Sequence, residues 1–286
     1  MGGVFQESRL NIRHFIECLD LPDSLRLNHA MDNGAPLSRW RGGRLRRHAL
    51  LTLLLLLTAF GAKAEPVDLT LVLAVDVSDS IDIEEMQLQR RGYINAFERS
   101  DIIEAIKAGK HGRIAVSYFE WADSSEQTLV TDWMIIEDLQ SAKAFGSKLK
   151  DAPVRKGHFT SISAAVSYSL NLLRRSPHEG DRKVIDISGD GRSNDGPPLA
   201  PVRASALSWN VTINGLPIEN ERSLDASNLA PGQMAQYYKE EVIGGPDAFI
   251  VVAKSFADIE RAISRKLLRE IAGDEGGSAK ASASSR

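Results

Sequence analysis

Two periodicities alternate along most of the chain. Apolar runs rich in β-branched residues predict strands over Leu69–Val75, Arg113–Glu120, Thr128–Ile135, Lys183–Ile187, Val211–Leu216 and Ala248–Ala253. Apolar residues three and four apart predict helices over Ile83–Arg99, Asp138–Leu149, Ser161–Arg175, Leu199–Trp209, Gly232–Val242 and Phe256–Ile271. In the first helix Met86, Tyr93, Ile94 and Phe97 form the inward face, and the basic residues of "LQRRGYINAFERS" are expected on the wet one. Strands and helices mostly alternate, the pattern of a parallel sheet covered on both faces. The exception is the second and third strands, whose connection "WADSSEQ" is too short for a crossover helix and predicts a hairpin. The expected fold class is therefore α/β: a doubly wound, mostly parallel sheet with one antiparallel edge strand and helices on both faces.

Upstream of this pattern, Arg39–His48 is strongly basic, Ala49–Phe60 is apolar apart from two threonines, and "GAKA" precedes Glu65. A basic region, a short apolar core and small residues at Ala62 and Ala64 make a secretory signal, with cleavage expected after Ala64. The core is short of the roughly 20 apolar residues of a spanning helix, so an uncleaved anchor is the second choice. Met31 stands at a normal distance for a signal-peptide start, which suggests that translation begins there. Arg46–Arg47 in an already basic segment is weak evidence for twin-arginine export. The expected organisation is an N-terminal extension and signal over 1–64, one domain over 65–272, and a disordered Gly/Ser/Ala-rich tail over 273–286. The resulting location is periplasmic or secreted, with no stable membrane insertion after cleavage.

Composition narrows the chemistry. The one cysteine, Cys18, lies before the expected cut, so the exported part has no disulfide, no thiolate ligand and no lipid anchor. The net charge is −3 for the whole chain and more negative without the basic leader, which argues against nucleic acid and anionic lipid as partners. No GxSxG, HExxH or GxxxxGK[ST] pattern occurs. His111 and His178 are expected in exposed turns, His158 in a loop-packing role. Trp121 and Trp133 are expected to pack at the hairpin. The long insert over 217–234 is either functional or disordered.

Oxygen-bearing side chains collect at three places. In "LAVDVSDSID" the first strand stops at Asp76, and alternation points Asp76, Ser78 and Ser80 to one side. They fall at a carboxyl strand end, where open α/β sheets place ligands. Asp82 with Glu85 reads as a helix capping box and accounts for neither the serines nor Asp76. "KGHFTSISAA" puts Thr160 and Ser161 at a helix start, and "DISGDGRSND" puts Asp190 between Gly189 and Gly191, just beyond a strand.

These three segments resemble the von Willebrand factor A-type domain with its metal-ion-dependent adhesion site. "DVSDS" matches the DxSxS motif, "HFTSISAA" the threonine loop and "SGDG" the third loop, and the resemblance covers about Val67–Ile271. More narrowly, the chain resembles an uncharacterised group of exported bacterial proteins with this domain. His158 and Phe159 stand where glycines often precede the threonine, and Ser188-Gly189-Asp190-Gly191 stands where Thr-Asp-Gly is common. The resemblance implies a divalent cation held by Asp76, Ser78, Ser80, Thr160 and Asp190, the hydroxyls directly and the carboxylates directly or through water. Hard oxygen donors suit Mg²⁺ first, with Mn²⁺ or Ca²⁺ as alternatives. The implied function is binding rather than catalysis, the cation bridging to an Asp or Glu carboxylate of a protein partner. Two other readings stay open: phosphoryl transfer with Asp76 as phosphoacceptor, although Ser78 occupies the place of the second aspartate that a dehalogenase-type phosphatase needs, and a scaffold that works without metal.

Overall fold

A computed structural model describes residues 64–219 and 229–273. The expected signal up to residue 63, the tail beyond residue 273 and residues 220–228 of the 217–234 insert lie outside the described residues. The sheet consists of β1 (Glu65–Asp76), β2 (Ile114–Trp121), β3 (Gln127–Ile136), β4 (His178–Gly189) and β5 (Thr212–Pro217) in the order β3-β2-β1-β4-β5. β1 is central and runs parallel to β2 and β4; β5 is parallel to β4, and β3 pairs antiparallel with β2. The expected doubly wound fold with one antiparallel edge strand is thus observed.

Alternation along β1 explains why it sits in the middle. Leu69, Leu71, Leu73 and Val75 enter one apolar layer, while Val72 and Ala74 enter the other, and all are buried. The first layer is closed by α1 (Ile83–Phe97), α2 (Ser100–Lys107), α3 (Leu139–Asp151) and α7 (Ile259–Ala272). The second is closed by α4 (Ile162–Arg174), α5 (Leu199–Ser208) and α6 (Gln233–Tyr237). α6 continues into a π-helical turn, Tyr238–Val242. Asp82 caps α1 as expected, accepting the Glu85 N–H at 2.9 Å while Glu85 accepts the Asp82 N–H at 2.9 Å.

Four expectations are corrected. The strand over Ala248–Ala253 reduces to isolated parallel bridges, Gly215 with Ile250 and Ile218 with Ala253. The segment follows a turn with positive φ at Gly245 and Asp247, and its Phe249 N–H is taken by the Asn214 side chain. α2 had no expected counterpart, although Ile102, Ile103 and Ile106 give it a helical apolar stripe. β4 begins at His178, its polar first half pairing with the start of β1. Finally, Arg90 is not on the wet face of α1 but buried, as is its neighbour Gln89. Arg90 forms a two-pronged ion pair with Glu120 on β2, 2.7 and 2.8 Å, and donates to the carbonyls of Ala152 and Pro153 after α3 at 2.6 and 3.0 Å. Among the described residues no helix is long and apolar enough to cross a membrane.

Candidate metal centre

Strand order reverses between β1 and β4, so the loops leaving their carboxyl ends diverge and open a crevice. Val75 is aligned with Ser188, which sets Asp76 beside Gly189 and brings the first and third loops together. The second loop, 152–161, is laced to the first by main-chain bonds, Gly157 N–H to Val77 O at 2.9 Å and Asp79 N–H to His158 O at 3.2 Å.

The five oxygen-bearing residues singled out in the sequence meet here. Thr160 Oγ1 donates to Ser78 Oγ at 3.2 Å, Ser78 Oγ and Ser80 Oγ lie 3.4 Å apart, and Ser80 Oγ donates to Asp190 Oδ1 at 2.5 Å. Asp76 closes the set: its Oδ1 accepts the Ser78 N–H at 2.8 Å. Asp76 and Asp190 are wholly buried, Ser78 and Thr160 nearly so, and Ser80 is partly open to solvent. Asp76 Oδ2 is buried without a hydrogen bond, a costly condition for a carboxylate oxygen. Burial and the nearby charge of Asp190 push the Asp76 carboxyl up to about 8.

The departure at Gly189 and the glycine that follows Asp190 each have a local reason. A Cβ at Gly189 would stand 2.8 Å from Asp76 Oδ2 and 3.0 Å from the Tyr238 hydroxyl, so a side chain at this position would displace the carboxylate. At Gly191 a Cβ would approach Thr160 Oγ1 to 3.3 Å. Of the histidines, His158 points outward, its ring 3.2 Å from the exposed Asp79 carboxylate, which that contact holds below the usual carboxylate range; it does not reach the oxygen cluster.

Supporting residues were missed from sequence. Asn194 accepts the Thr160 N–H at 2.8 Å through its side chain and returns its own N–H to Thr160 O at 2.9 Å, locking the threonine loop to the third loop. Gln89 reaches from α1 to the Asp76 carbonyl at 3.1 Å. Polar residues after Asp-Gly in "DGRSND" were a turn signal for Asn194; nothing marked Gln89, which sits in a helical stretch read as solvated.

The fold is found in solved structures of low sequence identity. Proximal thread matrix protein 1 from the mussel byssus superposes with a TM-score of 0.53 at 13% identity, over 73% of this chain and 50% of that one. A second structure of the mussel protein, described with a zinc-occupied MIDAS motif, gives 0.52 at 14% identity over 74% and 50%. A von Willebrand factor type A protein from Catenulispora acidiphila gives 0.51 at 12% identity over 72% and 43%. The pilus adhesin SpaC from Lactobacillus rhamnosus GG gives 0.51 at 14% identity over 73% and 31%. The chain therefore spans half or less of the length of these proteins. No curated protein sequence matches it. The family model described as "Protein of unknown function (DUF1194)" matches residues 66–275. The chain belongs to that family, and its fold is that of the von Willebrand factor A-type domain.

Proposed function

We propose that the protein is an exported binding module in which Asp76, Ser78, Ser80, Thr160 and Asp190 hold a divalent cation and that the cation recruits a protein partner. The observation that carries this is the buried, unbonded Asp76 Oδ2 next to a second buried carboxylate and a line of three hydroxyls. Two like charges so enclosed call for a positive counterpart, and the donors are all hard oxygens, which suits Mg²⁺ before softer ions. The bound cation would supply a positive anchor for an incoming carboxylate. Two protein carboxylates and neutral hydroxyls leave it short of oxygen ligands, which an Asp or Glu of the partner can provide. Phe159 and Ile83 are more than half exposed and each adjoins a site loop, an apolar border against which such a partner can pack. The zinc-occupied MIDAS motif of the mussel protein and the adhesin role of SpaC are in keeping with this reading. Binding rather than turnover is the proposed activity. Export rests on the N-terminal basic and apolar segments.

The test is capture from envelope extracts with immobilised protein in Mg²⁺, in EDTA, and with the Asp76→Ala variant. The expected result is a partner retained only by the first sample, with a matching loss of Mg²⁺ binding by the variant in isothermal titration. Equal recovery from all three would favour the metal-independent scaffold.

A further inference from the structure

The opposite end of the sheet carries a second cluster of metal-ligating groups that the proposed binding site does not use. Asp68 lies near the start of β1, Asp181 near the start of β4, and His111 in the turn that leads from α2 into β2. Eight residues of β1 separate Asp68 from Asp76, about 26 Å at 3.3 Å per residue, so the two clusters share no ligand.

Local structure fixes this cluster from the chain outward. Asp68 Oδ1 accepts the His111 N–H at 2.9 Å and Oδ2 the Arg113 N–H at 3.2 Å, while the Asp68 N–H bonds Arg113 O at 3.0 Å. The turn closes tightly over this carboxylate: a Cβ on Gly109 would come within 2.3 Å of Asp68 Oδ2, and Gly112 holds φ at +66°. The wrap brings the imidazole inward. Contrary to the expected solvated position, the His111 side chain is 17% exposed, and its Nε2 is enclosed without a hydrogen bond, 3.3 Å from Asp181 Oδ2. One ligand atom from each of Asp68, His111 and Asp181 lies within 4.8 Å of the other two.

We propose that these three residues form a second cation site, selective for zinc or a neighbouring first-row transition ion. An imidazole with two carboxylates suits such an ion better than Mg²⁺ or Ca²⁺, and three protein ligands leave one position for water. His111 Nε2 and Asp181 Oδ2, 3.3 Å apart, already stand at about the spacing of neighbouring donors in a zinc shell. Asp181, half exposed, has the freedom to adjust around an ion, whereas Asp68 is tied by two main-chain bonds. Without the ion, Lys110 supplies the positive charge, its ammonium 3.1 Å from Asp181 Oδ2 on a side chain that is 72% exposed. Ion binding displaces that flexible arm and pins together the starts of β1, β2 and β4.

The experiment is thermal unfolding of the full chain with and without Zn²⁺, in an Asp190→Asn background that disables the carboxyl-end cluster. Zinc is expected to raise Tm by several degrees, and Mg²⁺ at the same concentration to leave it unchanged. Adding Lys110→Met should tighten zinc binding about two- to fivefold, the strength of the exposed ion pair it removes. His111→Gln and Asp181→Asn should each abolish the zinc-induced rise. No rise in the Asp190→Asn background, or a rise that survives both ligand substitutions, overturns the proposal. Should His111→Gln fail to fold, Asp181→Asn at its half-exposed position decides alone.

Discussion

Replacing Gly189 by alanine adds one methyl group at the tightest point of the oxygen cluster. The backbone there is not in the left-handed region, so only space is at issue. The new Cβ would stand 2.8 Å from Asp76 Oδ2, 3.0 Å from the Tyr238 hydroxyl and 3.2 Å from Asp76 Cβ, where 3.4 Å is an ordinary contact. About 0.6 Å must therefore be found against Asp76, whose other oxygen is held by the Ser78 N–H, and against a wholly buried tyrosine. Overpacking of this kind costs about 1–3 kcal/mol. For a domain of this size that lowers Tm by roughly 2–12 °C, at about 2–4 °C per kcal/mol. Displacement of a carboxylate proposed as a ligand should also weaken Mg²⁺ binding about tenfold or more, since each ~1.4 kcal/mol of lost ligation is a factor of ten. Melting in EDTA reads the first effect and isothermal titration the second. Gly191→Ala, with its nearest approach at 3.3 Å to Thr160 Oγ1, should show the same signs at smaller size. If Gly189→Ala keeps both the Tm and the Mg²⁺ affinity of the parent, the crowding argument and the role given to Asp76 are wrong together.

Asp190→Asn should abolish Mg²⁺ binding, whereas Asp82→Ala should cost about 1 kcal/mol of stability through the lost cap and leave the cation affinity intact; titration and urea unfolding of both variants separate the roles. Glu120→Gln leaves the buried Arg90 guanidinium without its counter-charge and should destabilise by about 3–5 kcal/mol, read from the urea midpoint. Asp186 sits in a buried group with Lys266, 2.6 Å away, and Glu270. Burial, opposed by Lys266 and assisted by the Glu270 charge, pushes its carboxyl up to about 7, so folding takes up a proton between about pH 4 and 7 and stability falls as pH rises through that window. Asp186→Asn should make that slope shallower in urea titrations at pH 5 to 7, with the Asp76 contribution remaining; an unchanged slope would refute the assignment.

Much of the architecture was legible because the signals were local. A continuous apolar run marked β1, the short "WADSSEQ" connection announced the antiparallel pair, and Asp82 with Glu85 announced a helix start that the structure reproduces. Asp76, Ser78, Ser80, Thr160 and Asp190 were visible as oxygens at strand ends and a helix start, and the sheet order is what draws them into contact. Features that depend on distant partners were not legible. Arg90 looked like any surface arginine until Glu120 and the carbonyls after α3 met it. His111 looked solvated because nothing in its neighbourhood shows that Asp68 draws the turn inward. The failed strand at Ala248–Ala253 has the right side chains, but the preceding turn and the Asn214 side chain leave it few ladder bonds.

The central place of β1 has a consequence for how the molecule comes into being. It is the first strand of the sheet in the chain, yet it needs both neighbours: Leu71 meets Val116 on one side and Val184 on the other. A ribosome or translocon that delivers the chain from its amino end presents this apolar ribbon well before its second flank exists. Folding must then wait for long-range closure, which makes it slow and leaves a sticky intermediate. Such a polypeptide has reason to depend on holding chaperones while it emerges, and truncation before β4 should yield aggregate instead of a smaller domain.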